Sequence, residues 1–109
     1  MSTKALSKPK ALLRAQVIKS LAHPSRIQMV DALGGGEMCV CELAEIVGAD
    51  MSTVSKHLAL LKSAGLVSVE KRGLNQYYRL KCPCLAGFFQ CVDEINETNS
   101  LSMREACAL

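Results

Sequence analysis

The sequence predicts a mainly α-helical fold that carries one β-hairpin, and two residue patterns and the composition support this. Leu13, Val17 and Leu21 recur at every fourth residue, which places them on one face of a helix. Residues 66–80 instead carry β-branched and aromatic side chains on both sides of a Gly/Asn turn, a pattern typical of a hairpin. Only four of the 109 residues are aromatic and none is Trp. We therefore expect a core of Leu, Val, Ile and Ala.

A proline separates the first two predicted helices. The apolar stripe of the first helix lies within residues 10–21, and His23-Pro24 interrupts it. Pro24 suits the first position of a second helix, because the missing N–H has no partner to lose there, and we expect His23 to cap that helix. Three consecutive glycines at 34–36 end it.

Two further helices follow closely, with a tight turn between them. The third helix is short and covers about residues 41–47. Asp50 is placed to cap a fourth helix, with Thr53 three residues on, and that helix continues through Lys62. Gly65 then takes the position at which glycine commonly ends a helix.

The hairpin and a last helix complete a domain that we expect to span residues 10–97. The last helix covers about residues 84–97, where large apolar residues recur at helical spacing. We expect a flexible amino-terminal arm at 1–9 and a flexible carboxy-terminal tail at 98–109.

The composition also bears on the compartment. No apolar run approaches the roughly 18 residues of a membrane span, and the amino terminus lacks the apolar region of a signal peptide. We therefore expect a cytoplasmic protein with no membrane contacts. Six cysteines in a secreted domain would indicate disulfides, but in a reducing cytoplasm they more often indicate metal or redox chemistry.

The order of elements, with two short helices around a turn and then a basic hairpin, describes a winged helix-turn-helix, which reads DNA. Residues 1–30 hold six Lys/Arg and no acid, and residues 52–81 hold six more against Glu70 alone. Two basic zones separated by an acidic one are typical of a surface that binds a polyanion. The fourth helix suits the major groove, and the hairpin tip suits the phosphate backbone or the minor groove. The candidate contacts are Ser52, Thr53, Ser55, Lys56, His57, Lys71, Arg72, Asn75 and Gln76.

Cys39 and Cys41 stand one residue apart at the start of the third predicted helix. Thiolates are soft donors that select ions such as As(III), Sb(III), Cd(II), Pb(II) or Cu(I) over Mg or Ca. Residues two apart on a regular α-helix point about 200° apart, so we expect that capturing one ion with both thiols unwinds or reorients the first turn. If Cys39 lies in the preceding loop, ion binding orders that loop instead.

Four stretches of the chain resemble the ArsR/SmtB family of metalloregulatory repressors: 22–27 (AHPSRI), 39–43 (CVCEL), 52–66 (STVSKHLALLKSAGL) and 77–80 (YYRL). The similarity covers about residues 11–95. It implies a homodimer bound to a palindromic double-stranded operator, with the first and last helices at the subunit interface and DNA released when the inducer binds. The apolar stripes of those helices fit this role. The interface candidates are Leu13, Val17, Leu21, Leu85, Phe88, Phe89 and Val92.

The Cys-Val-Cys motif is similar to the family's arsenical-responsive site, so the resemblance implies As(III) or Sb(III) as inducer. Many such members carry a third Cys three residues after the second, where this chain has Ala44. Cys82 and Cys84, at the base of the hairpin, are candidates for the missing ligand. Either one of them completes a three-thiolate site, which we prefer because trivalent arsenic favours three sulfurs, or they form a second, separate site.

The remaining candidate ligands are weaker. The family's other metal site combines His with Asp/Glu, but the last helix offers Asp93, Glu94 and Glu97 without a His, which disfavours zinc sensing. We expect His57 to face DNA or to pack against the hairpin. Cys91 is interpreted as a core residue and Cys107 as part of the tail.

Two other functions remain as alternatives to a metalloid sensor: a Cd(II) or Pb(II) sensor, and a repressor that senses thiol oxidation. Because a Cys-x-Cys disulfide is strained, Cys41 with Cys82 or Cys84 is the expected bridge for the redox sensor. A thiol oxidoreductase would carry Cys-x-x-Cys, and a structural zinc domain would carry paired Cys-x₂₋₄-Cys spacings. The chain has neither, so we expect no catalytic residues, no constitutive cofactor and no protein substrate.

Overall fold

The computed structural model describes residues 5–108, with side chains described for residues 5–101. Five helices and three strands follow one another along this part of the chain, and the mainly α fold with a hairpin is confirmed. The elements are α1 (Lys8–Leu21), α2 (Pro24–Leu33), β1 (Met38–Cys39), α3 (Val40–Val47), α4 (Met51–Ser63), β2 (Val67–Arg72), β3 (Asn75–Leu80) and α5 (Leu85–Ala108).

The two outer helices are longer than the sequence suggested. α1 begins at Lys8 rather than at residue 10, because Ser7 Oγ accepts a hydrogen bond from Lys10 N–H at 3.4 Å and Pro9 is tolerated in the first turn. α5 continues to Ala108, so the predicted end at residue 97 is wrong. The stretch after 97 contains no Gly or Pro to stop a helix. Residues 1–4 of the predicted arm and Leu109 of the predicted tail lie outside the described residues.

The helix-turn-helix is held by the predicted end signals. His23 Nδ1 accepts a hydrogen bond from Ser25 N–H at 3.1 Å, so His23 caps α2 as predicted. Asp50 Oδ1 accepts one from Thr53 N–H at 2.7 Å, which caps α4 and lowers the pKa of Asp50. Between α3 and α4, Gly48 has a φ of +72°, a conformation that glycine adopts without a steric penalty.

The core lies where α2, α3 and α4 meet the hairpin strands. Leu43, Leu58 and Leu61 are fully buried, and Val67 and Tyr78 cover them from the hairpin. This packing attaches the hairpin to the helix-turn-helix, so α4 and the hairpin tip keep a defined position relative to each other.

The hairpin belongs to a three-stranded antiparallel sheet with the order β1-β3-β2. Met38 pairs with Tyr78, and Cys39 pairs with Tyr77. The sequence indicated the hairpin but not β1, because a two-residue strand has no detectable periodicity and its partner lies about forty residues away. The pairing places one of the two candidate thiols on the same sheet as the hairpin that is predicted to bind DNA.

Candidate thiol site and nucleic-acid interface

Cys39 and Cys41 lie at the junction between β1 and α3. Cys39 is the last residue of β1 and the N-cap of α3, with an extended backbone (φ −83°, ψ 163°), while Cys41 lies in the first turn of the helix. Cys39 is buried and Cys41 is exposed. A residue at the N-cap directs its side chain back over the first turn, so the two thiols do not follow the angular rule for residues inside a helix.

Cys39 lies outside α3, and the neighbouring thiol of Cys41 is the main reason that the pKa of Cys39 is raised. The premise that ion capture must unwind the first turn of α3 is wrong, because it assumed helical backbone angles at both residues, whereas Cys39 has the angles of a strand. Cys39 precedes the helix, as in the second case that the sequence left open, although in a strand rather than a loop. One candidate ligand is thus held by the sheet and the other by the helix.

Glu42 forms a capping box with Cys39 and so orients this residue at the start of α3. The Cys39 N–H donates a hydrogen bond to Glu42 Oε1 at 3.0 Å, and the Glu42 N–H donates to the Cys39 sulfur. The first of these hydrogen bonds lowers the pKa of Glu42. Cys39 and Glu42 thus occupy the positions that Ser/Thr and Glu take in the usual capping box. The spacing Cys-x-x-Glu was the sequence signal that could have predicted this arrangement.

The other described cysteines, Cys82, Cys84 and Cys91, are all exposed. Cys84 borders an apolar groove with Val17, Ile18 and Phe88 between α1 and α5. Across residues 5–101, no three His, Cys, Asp or Glu side chains lie close enough to hold one ion. The three-thiolate site that we preferred is therefore not assembled within one chain.

Cys91 is exposed on α5, so its interpretation as a core residue is wrong; it lies on a helix that the rest of the chain leaves largely uncovered. Cys107 lies outside the residues whose side chains the structure describes.

Four of the predicted DNA-facing residues, one on α4 and three on the hairpin, line a common cleft. Ser52, Thr53, Ser55 and Lys56 are exposed on α4. A cleft of about 240 Å³ separates this helix from the hairpin. Its lining residues include Ser55, Lys71, Asn75, Gln76 and also Cys41. The exposed thiol therefore lies at the edge of the surface predicted to meet DNA.

Arg72, at the end of β2, is engaged within the protein. Its guanidinium binds both carboxylate oxygens of Glu37, with Nη2 to Oε2 at 3.0 Å, and it binds Glu70 Oε2 at 3.0 Å. It also lies over the ring of Tyr77, 4.7 Å from the centroid. These carboxylates raise the pKa of Arg72, and Arg72 lowers the pKa values of Glu37 and Glu70. The prediction from the sequence had Arg72 available to DNA, and it did not identify Glu37 as the partner of Arg72.

His57 contacts α2 rather than the hairpin, so the predicted packing against the hairpin is wrong. Arg26 Nη1 lies 3.0 Å from His57 Nδ1, and Arg26 Nε donates to Ser20 O at 2.6 Å. The His23 ring is 4.5 Å away, centroid to centroid. Because Arg has no acceptor, His57 Nδ1 must accept and the imidazole is neutral. Burial first, and then His23 and Arg26, lower the pKa of His57.

The predicted interface residues fall into three environments. Phe88 and Val92 are exposed on α5 and border a groove with Ile18 of α1. Val17, Leu85 and Phe89 are half-buried against the core. Leu21 is 4% exposed and belongs to the core itself, while Leu13 borders a different groove, against Leu60 of α4. The sequence could not separate these cases, because core and interface residues share the same helical spacing.

Within the described residues, no helix combines the length and the hydropathy that crossing a membrane requires.

Comparison with known proteins places this geometry among transcriptional regulators. The family model described as "Bacterial regulatory protein, arsR family" matches residues 23–69. An arsenical resistance operon repressor from Escherichia coli is 37% identical over 84 residues, which cover 76% of this chain and 72% of the repressor. A cadmium resistance transcriptional regulatory protein CadC homologue from Staphylococcus aureus is 37% identical over 78 residues, which cover 71% of this chain and 64% of that protein.

A solved structure supports the fold. The homodimeric winged helix-turn-helix DNA-binding domain of a possible ArsR-family regulator from Mycobacterium bovis has a TM-score of 0.70 and 35% identity, covering 89% of this chain and 91% of that one. The predicted winged helix-turn-helix is thus confirmed. The chain spans only part of some relatives, for instance 42% of an HTH-type transcriptional regulator from Mycobacterium tuberculosis, which is 35% identical over 94 residues, or 86% of this chain.

Proposed function

Since the chain belongs to the ArsR family of bacterial regulatory proteins, we propose that it is a repressor that releases operator DNA when a trivalent metalloid binds Cys39 and Cys41. The observation that carries this proposal is the position of the two thiols at the N-terminus of α3, with Cys39 at the N-cap and Cys41 in the first turn. Its relatives regulate transcription and are not enzymes, so the prediction of a non-enzymatic protein is confirmed.

Operator recognition uses α4 in the major groove and the hairpin tip on the flanking backbone. Ser52, Thr53, Ser55 and Lys56 are the proposed contacts on α4, and all four are exposed. Lys71, Asn75 and Gln76 are the proposed contacts on the hairpin. His57 acts indirectly in this proposal, because its ring is held by Arg26 and keeps α4 against α2.

A second copy of the chain completes the repressor. The apolar groove between α1 and α5, together with the exposed Phe88, Val92 and Ile95 on α5, gives the homodimer its interface. A homodimer reads two half-sites of a palindromic operator and doubles the number of phosphate contacts.

The inducer acts by binding Cys39 and Cys41, which lie where β1 meets α3. As(III) and Sb(III) are soft and bind thiolates, and Cys39 and Cys41 supply two of the three sulfurs that trivalent arsenic favours. Cys82 or Cys84 supplies the third, from a second copy or after a movement, because the described residues of one chain hold no group of three ligands. Ligation displaces the hydrogen bond from the Glu42 N–H to the Cys39 sulfur and thereby shifts α3 against α4.

The test is the anisotropy of a labelled duplex that the protein itself has selected from a random pool. The reduced protein is kept in a phosphine reductant, which does not compete as a thiol ligand, and is titrated with As(III). We expect a drop in DNA affinity of about 5- to 150-fold, the usual range of allosteric coupling. The double variant C39S/C41S should bind the duplex and fail to release it, whereas C91S, which changes an exposed thiol on α5, should respond as the wild type does.

Parallel titrations separate the alternatives. Release by Cd(II) but not by As(III) would favour a cadmium sensor, which the similarity to the cadmium-resistance regulator supports. Release by peroxide alone would favour a redox sensor. Release by none of these would overturn the thiol site while leaving the DNA-binding role intact.

A further inference from the structure

Glu37 joins the strand that carries the thiol to the DNA-facing hairpin. Its carboxylate binds Arg72 of β2 through both oxygens, and Arg79 Nη2 of β3 lies 3.3 Å from Glu37 Oε2. Glu37 directly precedes β1, whose Met38 and Cys39 pair with β3. One carboxylate therefore spans both hairpin strands and is two residues from the thiol pair.

This contact contributes little to stability, which points to a different role. The side chains of Arg72 and Glu37 are 42% and 30% exposed, and solvent-exposed ion pairs are weak. The contact can therefore form and break at small cost. What it changes is the charge of the hairpin tip, because Glu37 and Glu70 together offset the positive charge that Arg72 would offer to DNA.

A DNA phosphate and Glu37 would compete for the same guanidinium. Arg forms two parallel hydrogen bonds with either a carboxylate or a phosphate, and both ligands need the Nη groups that Glu37 already occupies. Arg72 can thus serve the operator only when Glu37 releases it. How readily Glu37 releases Arg72 depends on how firmly β1, which follows Glu37 in the chain, is held in place.

We propose that Glu37 is a positioning residue that withholds Arg72 from operator DNA and transmits the state of the Cys39–Cys41 pair to the hairpin. In the ion-free protein Glu37 competes only weakly with a DNA phosphate for Arg72, so the protein binds DNA. Ligation of Cys39 fixes the end of β1, strengthens the hold of Glu37 on Arg72, and lowers DNA affinity. The coupling half of this inference rests on the proposed function, whereas the competition for Arg72 does not.

The test compares E37Q with E70Q, since each removes one carboxylate from Arg72 but only Glu37 adjoins the thiol strand. Both variants should bind the selected duplex about two- to fivefold more tightly, from the size of an exposed ion pair. In E37Q the slope of log affinity against log salt should steepen by about one, because Arg72 gains a phosphate. Release by As(III) should weaken in E37Q and stay at the wild-type factor in E70Q.

A double-mutant cycle with R72Q shows whether Glu37 acts through Arg72. In the R72Q background, E37Q should change DNA affinity and the salt slope much less than in the wild type, because only the exposed Arg79 is left for Glu37 to hold. An equally large gain in affinity from E37Q without Arg72 would overturn the proposal, as would an E37Q variant that binds DNA and releases it as the wild type does. If wild-type protein fails to respond to As(III), the proposed inducer is wrong. The measurements of DNA affinity and salt slope would still show whether Glu37 competes with DNA for Arg72. Circular dichroism of each variant checks that the fold is kept.

Discussion

Cys39-Val-Cys41 and Cys82-Pro-Cys84 have the same spacing, and the first Cys of each pair precedes a helix, but the structure treats them differently. In the first pair, Cys39 is buried, pairs with β3 and caps α3, while Cys41 is exposed in the first turn of that helix. In the second pair, both thiols are exposed, and the carbonyl oxygens of Cys82 and Cys84 accept hydrogen bonds from the first N–H groups of α5. The spacing Cys-x-Cys therefore does not by itself define the environment of the two thiols; the secondary structure around them does.

The largest effect that this comparison predicts is a difference between single serine variants of the two pairs. C41S should lose As(III)-induced release almost completely, because one of the two proposed defining ligands is gone. C84S should keep most of the release, because Cys82 can supply the third sulfur in its place. The anisotropy titration of the operator complex measures both. Equal losses in the two variants would show that both pairs contribute equally, and that the position of Cys39 and Cys41 at the start of α3 is not the deciding property.

A smaller effect concerns the capping box that orients the first pair. E42A should weaken As(III) affinity by about tenfold, because removing a group that orients a metal ligand typically has an effect of this size. E45A is the matched control, since Glu45 is an exposed acid on the same helix that forms no capping hydrogen bond. As(III) binding can be followed through the sulfur-to-arsenic charge-transfer absorbance. An E42A variant with wild-type affinity would indicate that the strand pairing of Cys39 alone holds the thiol in place.

The smallest predicted effect concerns His57 on α4, the helix against which α3 is proposed to shift when Cys39 and Cys41 bind an ion. The pKa of His57 is lowered from 6.5, so the unfolded chain takes up a proton on this residue at a higher pH than the folded protein does. The stability that depends on neutral His57 is fully present above pH 6.5 and decreases as the pH falls through the lower folded-state pKa. Arg26 and His23, which face the ring, both oppose its protonation.

Urea unfolding of the wild type and of H57N between pH 7.5 and pH 5 measures this contribution. Asn can still accept from Arg26 but does not titrate, so H57N should lose less stability over this range than the wild type. A variant with an unchanged pH dependence would assign the loss to other groups. Operator binding by H57N at pH 7.5 should be close to that of the wild type if His57 only positions α4, and clearly weaker if it contacts DNA directly.

Local patterns in the sequence were sufficient for most of the fold and for part of the site. The signals that define these elements act within a few residues, so the helix-turn-helix and the hairpin could be predicted. They include the turn glycines Gly48 and Gly65, the caps at His23 and Asp50, and the apolar spacing on α4. The chemistry of two neighbouring thiols likewise follows from residue types alone, and it marked Cys39 and Cys41 as candidate ligands.

Only the tertiary structure decided which groups meet. The strand that changes the direction of the Cys39 side chain pairs with residues about forty positions away. The hydrogen bond between Arg26 and His57 and that between Glu37 and Arg72 join residues 31 and 35 positions apart. Such pairings depend on how the core aligns distant elements, and they leave no periodic trace in the chain. The sequence thus determined the candidate chemistry of this protein, and packing determined that Cys39 is buried in the sheet beside an exposed Cys41, whereas Cys82 and Cys84 are both exposed.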